Sequence, residues 1–173
     1  MNFDQLIQSI EQVHDYLKSK AVSAINQSLT IRNWLFGFYI VEYEQNGEDR
    51  AKYGEKLLKS IAEQMKGKGI SGSSERNIRN YRQFYFVYPQ VVSVLSKKTL
   101  SESIWQTASA KLKTRVGNIG VNPEMLITKL SFSHILELTR EEEGLKRAFN
   151  EIHFIPLFYR SRFEDFDWYA ARQ

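Results

Sequence analysis

Apolar residues recur at helical spacing through most of this chain. Residues 2–27 place Phe3, Leu6, Ile7, Ile10, Val13, Leu17, Ala21 and Ile25 along one stripe, with polar residues between them. That pattern predicts a long amphipathic helix, suited to a bundle or a dimer seam. Residues 30–45, TIRNWLFGFYIVEYEQ, are apolar nearly all round from Trp34 to Val41. A helix of that kind belongs in the core, and a buried strand is the alternative reading. Asn46-Gly47 closes the segment. The next stretch, EDRAKYGEKLLKSIAEQM, returns to a helical stripe through Tyr53, Leu57, Leu58, Ile61, Ala62 and Met65.

A glycine-rich loop, GKGISGS, separates that helix from the stretch GSSERNIRNYRQFYFVYP. Ser73 or Ser74 suits the N-cap of a helix there, and Glu75 suits its first turn, where the backbone dipole favours negative charge. Pro89 ends or bends it. Further on, Asn122 caps a short helix with Pro123 at its first position. Ser131 or Ser133 caps another, SFSHILELTREEEGLKRAFNEI. The expected class is mainly α. The strongest faces predict a core of Trp34, Phe38, Leu57, Leu58, Ile61, Ile78, Tyr81 and Tyr85.

Charge changes this picture in one region. The net formal charge of the 173 residues is +4. Residues 66–115 hold ten Lys and Arg against two Asp and Glu, while both flanks are slightly acidic. Such clustering is an electrostatic footprint for nucleic acid; a solvated face balancing acidic neighbours is the alternative. The helix after the glycine loop lies inside this region. At about 100° per residue, Arg76, Arg79, Asn80 and Gln83 share one side, and Ile78, Tyr81, Tyr85 and Tyr88 the other. Arg82, Phe84 and Phe86 fall on the flanks. Arginine pairs with guanine or phosphate, and Asn or Gln with adenine. The expected nucleic-acid-binding residues are therefore Arg76, Arg79, Asn80 and Gln83 as a reading face, with Lys66, Lys68 and Arg82 holding phosphates. Helix, loop, helix is the order of a helix-turn-helix, although this loop exceeds the usual three or four residues.

Candidate chemistry is sparse. With no cysteine there is no disulfide framework, thiol catalysis or Cys-ligated zinc. Glu11 with His14, and His134 with Glu137, read as helix-surface pairs. A di-iron bundle needs two Glu-x-x-His motifs and two more Glu. No HExxH, Walker or GxSxG motif occurs. Glu141–Glu143 reads as a solvated face. Neither metal nor cofactor is expected. The run WLFGFYIV is too short for a bilayer, which needs about 20 residues, and the N-terminus lacks a signal-peptide apolar region. A cytoplasmic protein without membrane contact is the expectation.

Three blocks, RNWLFGFYIVEYEQNGEDRAKYGEKLLKSIAEQM, SERNIRNYRQFYFVYP and KLSFSHILELTREEEGLKRAFNE, resemble in order the N-terminal domain of the bacterial YhcG-like proteins. The resemblance covers about residues 20–152. It implies a helical domain with a helix-turn-helix-like or winged-helix-like core, positioning DNA or a partner for a C-terminal PD-(D/E)xK nuclease domain. The chain departs from the family after KRAFNE. Residues 153–173 read as an aromatic-rich tail, divergent or truncated, behind a helical domain at 1–152. No Pro precedes an Asp and no Glu-x-Lys or Asp-x-Lys triplet occurs, so no catalytic residue carries over. The expected function is a non-catalytic DNA-binding module; the alternative is a protein-interaction or dimerisation module. DNA is the expected partner, with a homodimer and a nuclease partner also open.

Overall fold

The computed structural model describes residues 1–95 and 122–140. The first element, α1, is one continuous helix, Phe3–Asn46. At about 1.5 Å per residue it is roughly 66 Å long. The separation expected between residues 27 and 30 does not exist. Ser28 and Thr30, where the two patterns meet, donate their hydroxyls back to the carbonyls of Ala24 (2.9 Å) and Asn26 (2.8 Å). Each carbonyl has a second lone pair for the helical N–H, so the backbone ladder runs on through the junction. The start is a capping box. Gln5 N–H donates to Asn2 Oδ1 at 2.8 Å, and Asn2 N–H donates to Gln5 Oε1 at 2.9 Å. At the other end Gly47 N–H reaches the Tyr43 carbonyl at 2.8 Å.

A short helix, α2 (Arg50–Tyr53), runs through a 3-10 turn at Gly54–Lys56 into α3 (Leu57–Gly67). Then come α4 (Glu75–Val87) and a 3-10 segment, Pro89–Val94. Two further helices, α5 (Pro123–Lys129) and α6 (Phe132–Arg140), complete the described residues. The class is mainly α. The strand alternative for residues 30–45 is excluded, because they are helical throughout. The wing of a winged helix is a β-hairpin, and no strand occurs among the described residues.

The caps fall close to where the sequence puts them. Asn77 N–H donates to Ser74 Oγ (3.2 Å), and Glu124 N–H to Asn122 Oδ1 (2.9 Å). Ser131 Oγ accepts from His134 N–H at 3.4 Å. These partners satisfy donors that a helix start leaves open.

The core forms where α4 lies against the second half of α1. Trp34, Phe38, Val41, Phe84, Tyr85 and Tyr88 are buried there, joined by Val91, by Leu126 of α5 and Leu130 just past its end, and by Ile135 of α6. Ring contacts tie it together: Tyr85 meets Trp34 edge-on at 5.2 Å and Phe38 at 5.7 Å, and Phe132 lies 5.7 Å from Phe84. Trp34 Nε1–H donates to the Tyr88 carbonyl at 2.8 Å, so the indole is buried without an open donor. A second cluster, Ile40, Ile78 and Tyr81, takes the apolar face of α3. Of the expected core, Trp34, Phe38, Leu57, Ile78, Tyr81 and Tyr85 are buried. Leu58 and Ile61 are partly buried against the second cluster.

The two main helices can meet closely because residue 37 is glycine. A Cβ there would stand 2.0 Å from the Tyr81 carbonyl oxygen. Gly37 is thus the contact point of the α1–α4 crossing, and the cost of glycine inside a helix is offset by the packing it permits.

Candidate nucleic-acid interface

The aromatic side of α4 fixes what the other side shows. Ile78, Tyr81, Phe84 and Tyr85 are buried. Arg76, Arg79, Gln83 and Phe86 are exposed, and Asn80 and Arg82 lie at the edges, partly covered. The division expected from helical angles is therefore present, with two refinements. Phe84, placed on a flank, is fully buried, whereas Phe86 is 46% exposed. Lys66 lies in the last turn of α3 and not in the loop, while Lys68 is the residue just past that helix; both are exposed.

The seven residues between α3 and α4 are held by specific contacts. Gly69 and Gly72 have φ of 69° and 81°, a region that favours glycine. The Tyr81 hydroxyl donates to the Gly72 carbonyl at 3.1 Å, and Arg32 Nη1 donates to Ser71 Oγ at 3.3 Å. Burial pushes the Tyr81 phenol above its ordinary range, and the Arg32 guanidinium pulls the other way. Tyr81 is only 3% exposed, so its hydroxyl needs this partner, and the bond fastens the loop to α4. Arg32 itself stacks over Phe36 at 5.4 Å and donates to Asn33 Oδ1. Its role in holding the α3–α4 loop lies 39 residues away in sequence and has no local signal.

The arginines differ in availability. Arg79 pairs with Glu75 one turn earlier, and both are well exposed. An exposed pair of this spacing contributes only about 0.3–0.5 kcal/mol, so a phosphate can displace it. Arg82 donates from Nε to Glu44 Oε2 on α1 at 2.9 Å and lies over the Phe86 ring at 5.5 Å. It ties α4 to α1. Arg76 has no ion pair among the described residues. The Arg82–Glu44 pair has no local signal in the sequence, and Lys59, exposed two turns before Lys66, lies on the same side of α3.

No group of three His, Asp or Glu side chains gathers to hold a metal among the described residues. No helix among them is long and apolar enough to cross a membrane. The basic residues at 97–115, the Glu141–Glu143 run and the aromatic tail at 153–173 lie outside the described residues.

Comparison with known proteins agrees with the three sequence blocks. Residues 9–155 match the family described as DUF1016 N-terminal domain. A 124-residue stretch is 30% identical to the putative nuclease YhcG of Escherichia coli (strain K12), covering 63% of this chain and 33% of that protein. The matched region thus spans about a third of the length of that relative. No solved structure matches. With most of its length in the family match, the chain belongs to the DUF1016 N-terminal domain family.

Proposed function

We propose that this chain is a non-catalytic DNA-binding module, acting beside a nuclease of the kind its relative is named for. The observation that carries the reading is the two-sidedness of α4: a buried aromatic face fixes the helix in the domain, and Arg76, Arg79 and Gln83 point away from it. In this reading α3, the fastened loop and α4 serve as a helix-turn-helix-like unit. Arg76, Arg79, Asn80 and Gln83 meet base edges and phosphates, because guanidinium and amide groups match the donors and acceptors of the major groove. Lys66 and Lys68 meet phosphates only. Phe86 offers an apolar surface beside them.

The test is duplex affinity measured by fluorescence anisotropy. The Arg76→Ala/Arg79→Ala double variant is expected to lose affinity, at about 1–3 kcal/mol for each bidentate contact removed. Lys66→Ala is expected to weaken all duplexes alike and lower the salt slope by about one. All should stay folded by circular dichroism, since the three side chains are exposed. A double variant that binds as tightly as the parent chain removes the reading.

A further inference from the structure

Phe86 is the anomaly on the outer side of α4. Its neighbours there are the polar residues Arg79, Arg82 and Gln83, yet the ring is 46% exposed. At about 100° per residue, Phe86 lies about 20° from Arg79, two turns on, and about 40° from Arg82. The ring is braced. The Tyr85 ring lies 6.1 Å away, and the Arg82 guanidinium carbon sits over the Phe86 ring at 5.5 Å. Arg82 is itself held, because its Nε donates to Glu44 Oε2 at 2.9 Å. A ring held in this way gives up little freedom when a ligand covers it.

We propose that Phe86 is a stacking platform for an unpaired base, so that the DNA this face takes is a duplex with a single-stranded extension. This assignment rests on the DNA-binding reading and deepens it. The choice of occupant follows first from chemistry. Guanidinium groups beside an aromatic ring suit a nucleic-acid strand, with the cations for its phosphates and the ring for the face of a base. It follows next from position. Phe86 lies in the last turn of α4, about 15 Å along the axis from Arg76. A recognition helix seats its N-terminal residues against base edges, so Phe86 stands at the opposite end. The flank that carries it is also the one that meets α1 through the Arg82–Glu44 pair. A major groove about 12 Å wide is filled by one helix of about 10–12 Å. With α1 beside it, this end of α4 cannot seat in the groove, and the Glu44 carboxylate would face the phosphates of the groove wall. Paired bases show only their edges in a groove. A base that has left the stack can turn its face to the ring while its phosphate keeps clear of Glu44.

The test measures the full chain on one duplex carrying a short tail of thymidines, or the same tail built of abasic nucleotides. The two tails carry equal phosphate charge, so only the bases differ. Anisotropy should show about tenfold tighter binding to the thymidine tail. Phe86→Ala and Phe86→Leu should bring that ratio to about one, since neither side chain offers an aromatic face, and Phe86→Trp should keep it. The ratio does not respond to a loss of folded protein, and circular dichroism checks that all three variants fold. A parent ratio of one, with salt-dependent affinity for both tails, overturns the stacking platform and leaves the DNA-binding reading standing. No salt-dependent affinity for either overturns both. A ratio that survives in Phe86→Leu overturns the ring as the platform. If Phe86→Ala instead weakens a blunt A·T-rich duplex more than a G·C-rich one, the ring meets thymine methyl groups in the groove and the unpaired base is overturned as occupant.

Discussion

Single residues decide how closely the two main helices of this domain approach. Gly37→Ala places a methyl group against the Tyr81 carbonyl, a backbone atom that cannot swing aside. The expected loss is about 1–3 kcal/mol, the usual cost of overpacking, read as a lower urea midpoint with an unchanged slope. In the sequence Gly37 is one letter of an apolar run. Nothing local shows that another helix crosses there, because the reason lies 44 residues away at Tyr81. Trp34 was legible as core, but the acceptor for its indole N–H, the Tyr88 carbonyl, was not. The phenols supply a second residue-scale prediction. The Tyr43 hydroxyl donates to Asp49 Oδ1 at 2.6 Å, and this bond holds the Tyr43 phenol up at about 12 against an ordinary 10. The folded state therefore keeps the proton longer than the unfolded chain does. The associated stability is fully present below about pH 10 and fades as pH rises through about 12. Asp49→Ala should move that one phenol back toward 10 in an ultraviolet titration of phenolate; an unchanged curve would show that Asp49 does not hold the proton.

At the scale of elements, helix starts were easier to read than helix continuity. Asn122 was legible outright, and Ser74 and Ser131 each as one of two serines, because a cap is a local device: one side chain meets a backbone donor two or three residues on. Ser74→Ala should destabilise the domain by about 1 kcal/mol, with the loss visible first as faster hydrogen exchange at the start of α4. Uniform exchange there in both proteins would mean that the cap is not limiting. The unbroken run of α1 was not legible. The change from a striped to an all-apolar pattern near residue 28 marks where the helix enters the core, and a change of surroundings imitates a change of element. The same effect explains Leu58 and Ile61. They lie on the apolar stripe of α3, but α3 packs at the margin, so each is only partly covered. Leu57→Ala should accordingly cost about 2 kcal/mol or more, and Leu58→Ala less. Equal chemical-denaturation losses would place α3 deeper than its burial indicates.

For the molecule as a whole, the account rests on one asymmetry: an aromatic-anchored helix with a basic outer face, in a chain whose positive charge is concentrated around it. The fold class and both faces of α4 were legible, since helical period and residue type suffice for them. The fixing of the α3–α4 loop by Arg32 and Tyr81, and the ion pair that commits Arg82 to Glu44, were not, since both join distant parts of the chain. Those contacts sort the basic residues. Arg82→Ala should loosen α4 from α1 and lower thermal stability, whereas Arg76→Ala should leave stability unchanged and weaken binding. The most direct measurement is the affinity of the full chain for a random-sequence duplex between 50 and 200 mM salt. With about four phosphates engaged, the DNA-binding account predicts affinity falling about 100-fold across that range, linearly in the logarithms. A folded chain with no salt-dependent affinity for any duplex would contradict it, leaving the arginine face of α4 a solvated surface.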